Sequence, residues 1–214
     1  MMKNKKQLFL TSAIILLPVL VGLLLWDQLP DQIATHWGLG GKANGWSSKA
    51  SAVFGMPLFL LATHWFCLYF TEKDAKNKDQ NSKVFGLISW LVPGISLMVS
   101  GIIYGTALGA KFPIENIVFL FMGVLFIAVG NYLPKCKPNR TIGIRIKWTL
   151  ENEENWNATH RIAGKVWVIG GICFLLCMFL PSAVAAAVEL LGITLLIAVP
   201  IGYSYRYSKK QQGK

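Results

Sequence analysis

Apolar residues in this chain gather into six long runs separated by polar segments: Leu8–Trp26, Ser51–Phe70, Val84–Leu108, Ile117–Leu133, Val166–Leu180 and Ala183–Tyr203. A bilayer core about 30 Å thick takes about 20 apolar residues as a helix. In lipid the backbone must satisfy its own hydrogen bonds, and runs this long do so by forming helices. The pattern predicts an all-α integral membrane protein, a polytopic bundle of six transmembrane helices. The fourth and fifth runs are short for a span, so they call for local bilayer thinning or helical extension into the flanks.

Charge orients this bundle. With the N-terminus inside, only Lys42, Lys49 and Lys111 of the 21 Lys and Arg residues fall outside. The positive-inside rule then puts both termini in the cytoplasm. The net charge of +11 reads as topogenic, with contacts to membrane lipids, and no direct nucleic-acid partner is expected. The chain is 54% hydrophobic and only 14% charged, which sets aside an ordinary soluble domain. The first run follows Lys3, Lys5 and Lys6, but it is too long for a signal-peptide core and no small-residue cleavage site follows Trp26. It reads as an uncleaved span. Cys67, Cys173 and Cys177 fall in spans and Cys136 on the inner side, so disulfides are not expected.

These features make residues 1–214 a single membrane domain. Its first two spans (8–70) enclose an outer loop (27–50). The third and fourth spans (84–133) are followed by an inner loop (134–165), then by the fifth and sixth spans (166–205). The segment Thr71–Lys83 reads as a solvated cytoplasmic turn. Each long loop follows the first helix of a three-helix half, the arrangement of an inverted repeat.

The outer loop carries Pro30, His36, Trp37, Asn44 and Trp46 among several glycines. The tryptophans suit a membrane interface. His36 has the chemistry to bind a ligand or sense pH, but no second metal ligand stands at a suitable spacing, so no metal is expected. The loop either caps the bundle from the bilayer surface or faces outward as a recognition surface. In the inner loop, Thr149 fits a helix N-cap. Leu150, Trp156, His160 and Ala163 recur at near-helical spacing, with Glu151, Glu154 and Asn155 toward water. This predicts a short amphipathic interfacial helix before the fifth span, a surface for lipid or a partner protein. Two ionisable residues fall within spans, His64 and Glu189, and such groups are functional candidates. His64 also fits a neutral ring bonded inside the bundle, and Glu189 an interfacial position. No catalytic constellation and no cofactor-binding motif is present.

Both loops resemble the SdpI family of bacterial immunity proteins. The outer segment, from Leu29-Pro30 through His36-Trp37 and Gly41 to Trp46 and Lys49, is similar to that family's N-terminal domain of unknown function. The inner segment is similar to its C-terminal signature: Asn139, Ile142-Gly143-Ile144-Arg145, Trp148-Thr149-Leu150, Glu154, Trp156, Thr159-His160-Arg161 and Gly164-Lys165. Ile146-Lys147 departs from the Thr-Pro found there in many members. The resemblance implies protection from a secreted peptide toxin met outside the cell. It also implies a receptor role in which a cytoplasmic repressor is held at the membrane. Pro30, His36, Trp37, Asn44 and Trp46 are then the toxin-facing candidates. Asn139, Gly143, Arg145, Trp148, Thr149, Trp156, His160, Arg161 and Gly164 are the partner-facing ones. A small proton-coupled transporter or exporter of peptide or lipid, using His64 and Glu189, is the alternative. A membrane enzyme with His36 or His160 as general base finds no positioned partner residue, so no enzymatic activity is expected.

Overall fold

A computed structural model describes residues 5–74 and 82–212. Much of the turn Thr71–Lys83 lies outside these residues, as do Lys3 and Lys214. Among the described residues, six helices are long and apolar enough to cross a membrane. They are α1 (Lys5–Leu24), α2 (Met56–Lys73), α3 (Ser82–Ala107), α4 (Ile114–Tyr132), α6 (Glu153–Cys177) and α7 (Ser182–Gln212). Between α1 and α2 lies a two-stranded hairpin, β1 (Gln32–Trp37) and β2 (Ala43–Ser48); a short helix, α5 (Lys147–Glu151), precedes α6. The helices leave large apolar side chains uncovered, among them Leu24, Leu176 and Leu190, as a lipid-facing surface requires. The protein is a multi-pass membrane protein.

The two short runs reach span length by extending into their flanks. The fourth becomes α4 plus a tight turn, Leu133–Lys135, and the fifth becomes the 25-residue α6.

The chain divides into two compact units. The first holds α1, the hairpin, α2 as far as Glu72, and Ile88–Glu115; the second holds Lys73–Leu87 and Asn116–Lys214. In the first unit, α1 is tied to α3 at its proline turn: Ser96 Oγ donates to Ile15 O (3.0 Å) and Tyr104 Oη to Pro18 O (3.0 Å). The core below the hairpin gathers Leu29, Ile33, Ala52, Val53, Ile103 and Tyr104. A π-helical turn, Ser51–Gly55, leads into α2, just before Pro57, which has no N–H to give an ordinary helical bond.

In the second unit α4 and α6 meet back to back on glycines. A Cβ at Gly130 would lie 2.8 Å from Gly164 O, and one at Gly171 2.6 Å from Gly123 O. Gly123 and Gly130, like Gly164 and Gly171, stand seven residues apart, so both pairs face the same seam. Phe119, Phe126, Phe174, Cys177, Ala185 and Leu196 form the core beside it. Pro200 interrupts α7 and leaves the carbonyl four residues back, Leu196 O, without its helical donor. Trp167 Nε1 donates to that oxygen at 3.2 Å.

The interfacial helix differs from expectation. Asn152 breaks it, and α6 runs unbroken from Glu153 into the span. Asn152, not Thr149, is the N-cap of the long helix: its Oδ1 accepts from Asn155 N at 2.7 Å, with Glu153 and Glu154 in the first turn where the helix dipole favours them. The face is also rotated from the expected one. Trp156, His160 and Ala163 are buried as predicted, but Leu150 is exposed and Asn155 buried. The break at Asn152 resets the helical phase, so a periodicity read straight through it places residues on both sides wrongly.

Candidate functional site

The outer segment is the hairpin, a structure that turn-rich composition alone did not announce. Its strands pair Gln32 with Ser48, Ile33 with Ser47 and Ala34 with Trp46, then His36 with Gly45 after a bulge. Alternation sends Ile33 into the core at 1% exposure, while Thr35 Oγ1 and Ser47 Oγ meet at 2.9 Å on that same face. His36, Asn44 and Trp46 are all exposed, and the bulge brings His36 opposite Gly45, where a Cβ would lie 2.9 Å from His36 Cβ. His36 Nδ1 lies 2.5 Å from Asn44 Oδ1. That oxygen can only accept, so the ring nitrogen donates and carries its proton there. Three of the five candidates are therefore exposed on the hairpin, two of them bonded to each other. Trp37 instead packs against the core cluster, and Pro30 is exposed just before β1.

The base of the hairpin is clamped by Lys49, the last residue of the family-like outer segment. Its Nζ donates to Trp26 O (3.1 Å), lies over the Trp26 ring (5.3 Å) and faces Asp31 (3.5 Å). At the tip, Gly40 and Gly41 have φ of 78° and 65°, and the Gly40 N–H donates to Glu115 Oε1.

In the inner segment, the backbone of residues 140–146 follows neither a helix nor a strand, and side chains accept its N–H groups. Arg140 N donates to Asp74 Oδ2 (2.7 Å), and Thr141 N and Ile142 N to Asn139 Oδ1 (2.8 and 2.6 Å). Ile144 N donates to His160 Nε2 (3.0 Å), and Ile146 N to Thr149 Oγ1 (3.1 Å). The Asn139 amide nitrogen donates in turn to Lys137 O and Ile142 O. A backbone N–H shielded from water without an acceptor is costly, and these side chains supply acceptors along an irregular, partly buried loop.

His160 is fixed in one tautomer by its partners. Nε2 accepts from an amide and must be bare, while Nδ1 lies 2.8 Å from Trp156 O and must carry the proton. The Trp156 ring stacks on the imidazole at 4.1 Å, and its Nε1 donates to Cys136 O at 2.8 Å. Gly143, at φ 99°, lies so close that a Cβ would come within 2.5 Å of His160 Nε2. Burial pushes the Cys136 thiol up to about 11, because the anion would be stripped of water.

Asn155, read from sequence as water-facing, is a hub instead. It bonds Ser204 O and Ser204 Oγ on α7 and accepts from Thr159 Oγ1. Trp148 meets the Tyr205 ring at 5.1 Å. Asn155, Ser204 and Asp74 were all missed. The one available signal was the polar pair Asn155 and Thr159 four residues apart on an otherwise apolar face. Gly164 is a helix-crossing residue rather than a surface one. Arg161 and Arg145 are exposed, Arg145 being held by a bond to Arg140 O (2.8 Å).

The intramembrane candidates stand apart. His64 is buried with Nε2 2.9 Å from Thr11 Oγ1, so its polarity is partly met by a neighbouring helix. Glu189 is half-buried in α7. The two residues belong to different units.

Comparison with known proteins gives separate matches for the two segments. Residues 135–204 match the SdpI/YfhL protein family, and residues 13–61 match a domain of unknown function, DUF1648. The chain is 27% identical over 210 residues to the Immunity protein SdpI of Bacillus subtilis (strain 168), covering 97% of this chain and 99% of that relative. No solved structure matches. The resemblance read from the two loops is thus shown along nearly the whole chain: the inner segment is similar to SdpI/YfhL proteins, the outer one to DUF1648, in the order in which the loops stand.

Proposed function

We propose that this protein is a membrane immunity factor that protects a bacterial cell from a secreted antimicrobial peptide toxin. The observation that carries the reading is the near full-length similarity to a protein named as an immunity protein, with both loops included. In this reading both termini are cytoplasmic and the hairpin faces outward. His36, Asn44 and Trp46 then offer a flat aromatic and hydrogen-bonding surface, with Pro30 at its edge. Such a surface suits an extended or helical peptide, because a rigid Trp gives contact area at little entropic cost. The inner loop faces the cytoplasm and holds a repressor protein there, with Arg145, Trp148 and Arg161 as its accessible groups. The protein works by binding, with no catalytic step.

The test is survival of a toxin-sensitive bacterium producing the protein, challenged with a cannibalism-type peptide toxin. Specific rescue is expected, and Trp46→Ala or Asn44→Ala should lower the tolerated toxin dose about tenfold or more at equal membrane level, as for loss of one central contact. Rescue that survives both substitutions would remove the hairpin from the reading. Rescue abolished by a protonophore and by Glu189→Gln would replace binding with transport.

A further inference from the structure

Glu189 is a solitary charge. Residues 116–132 and 166–205, the apolar stretches of the second unit, contain no other Asp or Glu and no Lys, Arg or His. Its depth follows from the far end of α7. Tyr203, Tyr205 and Tyr207 gather there with Arg206 and Lys209, the aromatic and basic residues of a membrane interface. At about 1.5 Å per residue, Glu189 stands about 24 Å along the helix from Tyr205, still inside a core about 30 Å thick. It lies in the leaflet away from the basic end.

The packing of α6 on α7 shows what surrounds it. A Cβ on Gly170 would lie 2.8 Å from Leu196 Cδ2, and one on Gly192 3.3 Å from Phe174 Cε2. Continuing that antiparallel register by one turn brings Glu189 level with Cys177, which is buried in the core cluster. A thiol is a weak donor and supplies no positive charge. Glu189 itself is half-buried, at the border between this seam and lipid. Val188 before it packs on the core, whereas Leu190 and Leu191 after it are 71% and 60% exposed. Among the described residues its carboxylate makes no hydrogen bond and no ion pair. Ala183 and Ala187, both exposed, keep α7 narrow beside it, so another helix can come close.

A carboxylate at such a depth is costly alone, and a cation beside it offsets that cost. We infer that Glu189 is a docking residue for a basic side chain of a membrane-inserted peptide, which lies against the exposed face of α7 at Ala183 and Ala187. A second copy of this chain does not fit, because it would bring another Glu189 and like charges repel. The inference rests on the proposed function in taking the toxin as the natural occupant, and it names the chemistry that the toxin carries: an apolar segment with a Lys or Arg in the outer leaflet.

The experiment uses the full-length protein in phosphatidylcholine vesicles and two dansyl-labelled Leu/Ala helices of about 20 residues. One carries a single Lys a turn inside one end, and its twin has Leu there. Energy transfer from the protein's tryptophans reads association. Wild type should bind the Lys peptide about tenfold or more tightly than the twin, the scale of one desolvated charge pair. Glu189→Gln should bind the two alike, and Glu189→Asp, which keeps the charge, should keep the preference. Equal binding of both peptides by wild type would overturn the docking role with no variant involved. A Lys preference undiminished in Glu189→Gln would also overturn it, since another group would then be the acceptor. No toxin is needed, so the outcome stands apart from the survival assay: rescue without a Lys preference keeps immunity and removes the docking residue, and a Lys preference without rescue keeps the docking residue and removes immunity.

Discussion

The outer hairpin and the inner loop draw on similar residues, Trp, His, Asn, Gly and Lys or Arg, and put them to opposite uses. The hairpin pairs its backbone in a ladder, so His36, Asn44 and Trp46 are left facing outward. The inner loop has no ladder. Asn139, Thr149 and His160 turn inward and accept the amides of Thr141, Ile142, Ile144 and Ile146, and all three are within 1% of full burial. The inner segment is therefore largely architecture, whereas the hairpin leaves His36, Asn44 and Trp46 exposed.

The largest effect is expected where this contrast is sharpest. His160→Ala leaves the Ile144 N–H without its acceptor and removes the ring stacked on Trp156. A loss of about 3 kcal/mol is expected, from a partly buried donor left without its acceptor plus a cavity at the buried ring, measured as thermal stability in detergent. The buried thiol of Cys136 supplies an independent readout. Its folded value of about 11 lies above the usual thiol value, so it stays protonated and slow toward maleimide at pH 8. Peptide mass spectrometry should find Cys136 labelled quickly in His160→Ala and slowly in wild type. Equal labelling would mean that the inner loop is already open, and the comparison would fail.

A middle-sized effect separates accepting from donating. Asn139→Ala orphans two amides and should cost about 2–4 kcal/mol. Asn139→Asp keeps the acceptor for Thr141 and Ile142 but loses the donor to Lys137 O and Ile142 O, and should cost less. If Asp proved as harmful as Ala in the same melting experiment, the amide-accepting role would be wrong.

The smallest effect on stability is expected in the hairpin. Trp46 is 58% exposed, and Asn44 and His36 bond mainly to each other. Trp46→Ala and Asn44→Ala should each shift stability by less than about 0.5 kcal/mol, while the survival assay records the loss of protection. A large drop in membrane level for either would show the hairpin face to be structural, and the contrast between the regions would disappear.

The sequence by itself determined the spans, because a run of about 20 apolar residues has one economical conformation in lipid. It also marked both loops as the informative parts and, through the quoted residues, the SdpI-like character that the comparisons bear out. It did not reveal the hairpin, since Ile33, Thr35 and Ser47 alternate too briefly among glycines to outweigh a loop reading. It placed Leu150 and Asn155 on the wrong faces because the break at Asn152 resets the helical phase. It gave no sign of Asp74, Ser204 or Glu115, whose partners lie 66, 49 and 75 positions away. Only the tertiary structure decided which polar side chains are spent on the backbone and which remain exposed. That division depends on where the nearest unpaired amide lies in space, and separation along the chain carries no record of it.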